Sequence, residues 1–253
     1  MDLHLKGKTA LVTGGSQGLG AAVCRALAAE GARVAVNYRR NAHIAEELVA
    51  EITAACGVEA MTVEGSVADK NQVARMFDEV EERFSTVDIL VNNAAACPSS
   101  YVKDTSEEDW EQTLRTNLSG TFFTCQEMVR RLLHLEKSGR IVNVSSAAAY
   151  LGSSSGRAHY DASKGGIISF TVSLAREVAQ AGIAVNAVAP GLMITKMTAE
   201  RFEANRDKYL GTIPLRRFGE IEEVADVIVF LASDRASYMT GTTVNVSGGL
   251  LMG

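Results

Sequence analysis

Short apolar runs alternate with longer amphipathic ones along the whole chain, and that alternation leaves few folds open. The short runs fall at 9–12, 33–36, 60–63, 88–91, 140–144, 183–188 and 243–246. They are rich in Val and Ile and do not alternate strictly with polar residues, as strands covered on both faces read. Between them the spacing predicts helices at 18–30, 42–56, 69–84, 107–136, 160–181 and 221–233. In the second of these, Ile44, Leu48 and Ile52 form one apolar stripe, with Glu46, Glu47 and Glu51 on the polar side. Strand–helix alternation of this kind implies a parallel sheet with helices on both faces, joined by right-handed crossovers. The expected fold is α/β: one doubly wound, Rossmann-like domain over residues 1–253, with about seven strands.

Composition closes other routes. At 47% hydrophobic and 22% charged, the chain is not intrinsically disordered. A net charge of −5 gives no general footprint for nucleic acid. No run of about 18 apolar residues is present, so no membrane span is expected. The opening MDLHLKGKTALVTGG lacks an apolar signal core, which points to the cytoplasm. Cys24, Cys56, Cys97 and Cys125 are far apart and read as reduced thiols. His4, His43, His134 and His159 are isolated, with no ligand spacing, so no catalytic metal is expected. His159, at a helix start, is expected to face solvent.

The first apolar run leads into Thr13-Gly14-Gly15-Ser16-Gln17-Gly18-Leu19-Gly20, and a helix follows at once. A strand, a glycine turn and a helix N-terminus make an anion site, because backbone N–H groups and the helix dipole both favour phosphate. Gly14 would permit the tight turn, Gly18 the approach of a pyrophosphate, and Gly20 close packing of helix on strand. The second strand ends in Asn37-Tyr38-Arg39-Arg40 with no carboxylate to select the ribose of NAD. Two guanidiniums there could instead hold a 2′-phosphate. NADP(H) is therefore expected, with NAD(H) left open.

Tyr160 and Lys164 lie four residues apart at the start of a predicted helix and so share one face. An ammonium beside a phenol favours the phenolate and makes a tyrosine serviceable for proton transfer. Just upstream, the fifth strand ends in Ser145-Ser146, and a hydroxyl there could hold a substrate oxygen beside Tyr160.

With these residues in view, the chain resembles the short-chain dehydrogenase/reductase family over essentially its whole length. The motifs are TGGSQGLG at 13–20, NNAA at 92–95, Asn117 in LRTNLSGTF, Ser146, YDASK at 160–164, PGLMIT at 190–195 and TGTTVNVSGG at 240–249. The resemblance implies that Tyr160 exchanges the proton with the substrate oxygen. Lys164 would lower its pKa and bond the nicotinamide ribose, and Ser146 would orient the substrate, with Ser145 the weaker candidate. Asn117 would hold a water relaying protons to Lys164. The cofactor set would be Gly14, Ser16, Gln17, Gly18, Leu19, Gly20, Asn37, Arg39, Arg40, Ser66, Val67, Asn92 and Ala94. Tyr160, Lys164, Pro190, Gly191 and Thr195 complete it at the nicotinamide end. Residues 193–212 would form a substrate lid carrying Met193, Met197, Phe202, Tyr209 and Leu210, or else an ordinary packed helix pair.

The chain departs from the family pattern at several positions. Ser146 lies 14 residues before Tyr160 where many members have 13, which implies one extra residue in the 152–157 loop, GSSSGR. Gln17 stands where many NADP-binding members carry a basic residue, Ser66 where an Asp is frequent, Ala95 for a Gly and Ser247 for an Asp. Within the family the chain looks most like 3-oxoacyl-carrier-protein reductases. Arg130 and Arg176 match positions associated with docking the acidic carrier protein, and Arg131, His134, Lys137 and Arg140 make a basic stretch beside the first. A dehydrogenase of a free sugar, polyol or hydroxysteroid is the alternative. A catalytically silent NADP-binding protein is disfavoured by the complete Asn117, Ser146, Tyr160 and Lys164 set. The resemblance also implies a homotetramer, with the apolar tail Leu250-Leu251-Met252-Gly253 suited to an interface.

Overall fold

The computed structural model describes residues 1–194 and 205–252. Seven parallel strands form one sheet in the order β3-β2-β1-β4-β5-β6-β7. They are β1 (Thr9–Thr13), β2 (Arg33–Tyr38), β3 (Ala60–Glu64), β4 (Ile89–Asn92), β5 (Gly139–Val144), β6 (Ile183–Pro190) and β7 (Thr243–Val246). The helices between them are α1 (Gly18–Ala29), α2 (Ala42–Cys56), α3 (Lys70–Phe84), α4 (Glu107–Leu114), α5 (Gly120–His134), α6 (Ala148–Leu151), α7 (Ala158–Val178), α8 (Arg206–Thr212) and α9 (Ile221–Leu231).

Alternate residues of each strand point to opposite faces, and each face has its own core. Ala10, Val12, Val34, Val36, Val91, Val142 and Val188 pack on one side with Val23 and Leu27 of α1, Leu48 and Ile52 of α2 and Ile228 of α9. Leu11, Ala35, Val63, Leu90, Ile141 and Val185 pack on the other with Phe77 and Val80 of α3, Met128 and Leu132 of α5 and Leu174 and Val178 of α7. Both faces are covered, which is why the strands read as continuous apolar runs.

The chain order reverses between β1 and β4, which are hydrogen-bonded neighbours with Leu11 opposite Leu90. At such a switch point the loops after the two strands splay apart and leave a crevice at their carboxyl ends. The glycine turn follows β1, and Asn93 to Ala96 follow β4.

The segment 107–136, expected as one helix, is interrupted. A π-turn at Arg115–Ser119 separates α4 from α5, with the Gly120 N–H reaching the Arg115 carbonyl. Gly120 is pressed against Val67; a Cβ there would lie 2.8 Å from Val67 Cγ2. The π-turn contains Asn117, and π-turns within helices concentrate at functional sites. Sequence reading also placed the start of α7 two residues late and did not anticipate α6; α8 falls in the segment read as a lid or a packed helix pair.

Candidate active site

Every expected catalytic group comes from an element that ends or begins at the carboxyl edge of the sheet. Ser145 and Ser146 follow β5, Asn117 sits in the π-turn, and Tyr160 and Lys164 occupy the first two turns of α7. Lys164 Nζ lies 5.7 Å from the centre of the Tyr160 ring, so the pair does share a face. Lys164 is 2% exposed, and its ammonium donates to the Val144 carbonyl at 2.7 Å. Burial pushes its pKa down to about 8, with the Cys97 thiol pulling slightly the other way. Tyr160 is pushed up to about 12, chiefly by burial and also by Cys97, while a hydrogen bond with Ser146 and the charge of Arg157 pull it down. The resting phenol is therefore protonated, although the resemblance implied a hydroxyl lowered by Lys164. Ser146 is only part-buried, and its hydroxyl accepts the Ala148 N–H at 3.1 Å. Ser145 is spent elsewhere: it is buried and donates to the Lys164 carbonyl at 2.8 Å.

Asn117 is fully buried and acts as a brace. Its Oδ1 accepts the Ala96 N–H at 2.7 Å, and Nδ2 donates to the Ala96 carbonyl and to Ser163 Oγ, each at 2.9 Å. Both amide hydrogens are thus used to hold the loop after β4 against α7.

The glycine turn divides its labour much as its spacing implies. Gly14 has φ +59° and Gly18 φ +55°, the left-handed region open to glycine. Nothing lies within 4 Å of a Cβ built on Gly18, so the backbone there is open to an incoming phosphate. At Gly20 a Cβ would strike the Gly14 carbonyl oxygen and sit 2.6 Å from Asn93 Nδ2. This turn and the α1 N-terminus fit a pyrophosphate. Arg39 and Arg40 follow β2, are exposed, and make no ion pair among the described residues. Leu19 is buried, Ser16 and Ser66 are part-buried, and Gln17 is exposed. Ala94 lies against Gly14, Pro190 ends β6, and Gly191 is packed on Ser247. Thr195, Met197 and Phe202 lie outside the described residues.

Several expectations need correction. Asn37 is 2% exposed, and its Oδ1 takes the Gly14 N–H at 3.0 Å while Nδ2 reaches the Val63 and Gly65 carbonyls at 3.2 and 3.1 Å. Its side chain ties the glycine turn to β3 instead of facing the crevice. The Asn92 side chain is likewise buried, bonded to Asn143 at 2.9 Å and Thr124 at 2.7 Å. Instead of facing solvent, His159 is 1% exposed, with neither ring nitrogen hydrogen-bonded. The basic stretch near Arg130 is largely neutralised. Arg131 is clamped by Asp78, Glu81 and Glu127, and Arg140 pairs with Asp234. Arg130 and Arg176 themselves are exposed and unpaired among the described residues. In the lid segment, Tyr209 and Leu210 pack on Ile213 and Phe218, and Met193 packs on the main core.

Sequence reading missed the polar network beneath the site. Thr13 Oγ accepts the Asn93 and Ala94 N–H groups at 3.0 and 3.1 Å, Asn93 Nδ2 donates to the Thr13 and Gly14 carbonyls, and Asn143 Nδ2 donates to Thr171. A polar Asn143 between Val142 and Val144 of β5 was the available signal.

A family model described as Enoyl-(Acyl carrier protein) reductase matches residues 14–251. The 3-oxoacyl-acyl-carrier-protein reductase FabG of Staphylococcus epidermidis is 42% identical over 245 residues, 97% of this chain and 99% of that protein. The 3-oxoacyl-acyl-carrier-protein reductase of Synechocystis sp. is 43% identical over 249 residues, 98% of each chain. Among solved structures, a protein of Sinorhizobium meliloti provisionally assigned as a short-chain alcohol dehydrogenase matches with TM-score 0.93 at 37% identity, covering 99% of this chain and 98% of its own.

Proposed function

The chain belongs to the short-chain dehydrogenase/reductase family, and we propose that it reduces the 3-oxo group of an acyl thioester at the expense of NADPH. The observation that carries this reading is Tyr160 with the Lys164 ammonium 5.7 Å from its ring and Ser146 beside it, next to a glycine turn open to a pyrophosphate. Reduction of a carbonyl needs a proton donor at rest, and burial, which disfavours the phenolate, favours a protonated Tyr160. The thioester assignment draws on relatives of 42% and 43% identity that carry that activity in their names.

When bound, the nicotinamide supplies the hydride. The protein does the rest. Gly14 to Gly20 receive the pyrophosphate, and Arg39 and Arg40 take the 2′-phosphate by charge-assisted bonds. Ser146 and Tyr160 hold the substrate oxygen, and Tyr160 passes its hydroxyl proton to it. Lys164 holds the nicotinamide ribose and replenishes the proton, with Asn117 fixing the geometry of the relay. Thr195 belongs to this set by its motif. Arg130 and Arg176 offer two unpaired cations to an acidic carrier protein. The enzyme works in the cytoplasm, where its four cysteines, none of them in a disulfide, stay reduced.

Oxidation of NADPH and NADH is followed with the acetoacetyl thioester of N-acetylcysteamine and with a panel of free ketones and sugars. The expected result is turnover of the thioester with NADPH, and a KM for NADPH that rises in Arg39→Ala far more than that for NADH. Turnover of free ketones or sugars alone would overturn the thioester reading in favour of a free-alcohol dehydrogenase. An equal effect of Arg39→Ala on both cofactors would remove Arg39 from the 2′-phosphate site.

A further inference from the structure

The loop that carries the extra residue before α7 is fastened to the loop after β4. Ser100 N–H donates to the Gly156 carbonyl at 2.8 Å, and Ser99 Oγ donates to the Ser155 carbonyl at 2.8 Å. Gly156 has φ +70°, and a Cβ on it would lie 2.9 Å from the Ser100 carbonyl carbon, so the two loops touch backbone to backbone. This clasp sets the position of Arg157, the residue that caps α7 three positions before Tyr160.

Arg157 is a cation without a partner. Its Nε is buried and has no acceptor, and the side chain makes no hydrogen bond or ion pair among the described residues. The carboxylate one helical turn on, Asp161, does not answer it; Asp161 Oδ1 instead accepts the Ser153 hydroxyl at 3.0 Å. Arg33 and Arg140 also bury an Nε without an acceptor, but their other guanidinium nitrogens are bonded, Arg33 to the Gly7 carbonyl and Arg140 to Asp234, whereas Arg157 has no such second bond among the described residues. A guanidinium Nε taken out of water with nothing to donate to carries a desolvation cost that a ligand oxygen would remove. Arg157 stands at the start of α7, three residues before Tyr160, and its charge acts on the Tyr160 hydroxyl and on Cys97.

We propose that Arg157 is a specificity-determining residue that receives a second oxygen of the substrate, set two carbons from the carbonyl being reduced. That oxygen is the thioester carbonyl of a 3-oxoacyl group or the carboxylate of a free 3-oxo acid. The proposal rests on the reductase reading above and narrows it to substrates with oxygens in a 1,3 relation. The clasp fixes the backbone from which the guanidinium extends, and the planar fork of that group suits either acceptor. Simple ketones and alcohols lack the second oxygen and leave the cation unanswered, which is how a polar site rejects an analogue that lacks one group.

Steady-state kinetics of wild type, Arg157→Gln and Arg157→Ala would be measured on three probes. These are the acetoacetyl thioester of N-acetylcysteamine, which has no phosphate or carboxylate, free acetoacetate, and trifluoroacetophenone, an activated ketone with no second oxygen. NADPH affinity and Tm are followed alongside. The expected result is a loss of at least about tenfold in kcat/KM on the 1,3-dioxygenated probes, falling mainly on KM. Trifluoroacetophenone should change less than twofold, with NADPH affinity and Tm unchanged. An equal loss on all three probes, or no loss on any, would overturn the proposal. If wild type reduces acetoacetate and not the thioester, and Arg157→Ala loses that activity selectively, the thioester reading fails and the role of Arg157 stands with a carboxylate as its partner.

Discussion

Lys164 is a cation held where water scarcely reaches it, with one carbonyl for company. Its pKa near 8 lies below the ordinary 10.5, so between those values the unfolded chain binds a proton that the folded chain does not. Folded stability from this group is therefore lowest below pH 8 and recovers as pH rises towards 10.5. A difference of this size corresponds to about 2 to 3 kcal/mol between pH 7 and pH 10. Lys164→Met keeps the volume and removes the charge. Thermal unfolding of wild type and Lys164→Met, compared at each pH, should show the balance moving towards wild type by about that amount across the window. A gap that does not move with pH would mean that the lysine is not held charged and buried at neutral pH. The same residue scale separates the site residues that could be read in advance from those that could not. Tyr160 and Lys164 are four apart on one helix, so their proximity follows from helical geometry alone. The burial of Asn37 depends on Val63, Gly65 and Met76, which are 26 to 39 residues away, and no local pattern announces it. His159 is buried in the same way, by packing that nothing near it in sequence reveals.

At the scale of elements, the strand–turn–helix unit at residues 9–29 has to bind phosphate and pack tightly with the same few glycines. Gly18 and Gly20 divide these demands, and their substitutions should separate. Gly18→Ala places a methyl in open space and pays about 1–2 kcal/mol for its positive φ. It should still lose at least about tenfold in NADPH affinity, because the backbone can no longer approach the pyrophosphate. Gly20→Ala drives a methyl into the Gly14 carbonyl and Asn93, an overpacking of about 3 kcal/mol, which lowers Tm by roughly 6–12 °C for a chain of this size. Calorimetry and NADPH fluorescence titration on the two variants check this. A larger Tm loss in Gly18→Ala, with unaltered affinity, would reverse the assignment. The strands themselves were legible because a parallel strand covered on both faces shows a Val- and Ile-rich run whatever its neighbours. The π-turn at Arg115–Ser119 was not, because one extra residue in a helical turn leaves composition and amphipathicity almost unchanged.

Across the whole molecule, the two faces of the sheet are covered but an outer face is not. Phe122 of α5 is 40% exposed and stacks edge-on with Phe123 and with Phe170 of α7, and Trp110 of α4 and Leu133 of α5 are exposed as well. Exposed apolar side chains on the outer helices, with Phe122, Phe123 and Phe170 clustered among them, suit an interaction surface. The family resemblance assigns these helices and the β7 edge to the contacts of a homotetramer. In the tail, Leu251 N–H bonds Ser247 Oγ at 3.1 Å, the Leu251 carbonyl accepts from Asn245 Nδ2, and Met252 is exposed. Sedimentation at micromolar concentration should return about four times the 27.0 kDa chain mass, whereas a monomer at that concentration would contradict the tetramer. The doubly wound architecture was legible at this scale from strand–helix alternation alone. The neutralisation of Arg131 and Arg140 was not, because their carboxylate partners include Asp78, Glu81 and Asp234, brought near only by the fold.

The central claim is that Tyr160 gives its proton to the substrate oxygen. The most direct test is the kcat of Tyr160→Phe on the acetoacetyl thioester, with NADPH affinity measured in parallel. Phenylalanine keeps the ring and removes the proton, so kcat should fall by at least about 100-fold while NADPH binds as before. Retention of more than about a tenth of wild-type turnover would contradict the claim and send the search for the proton donor elsewhere in the crevice.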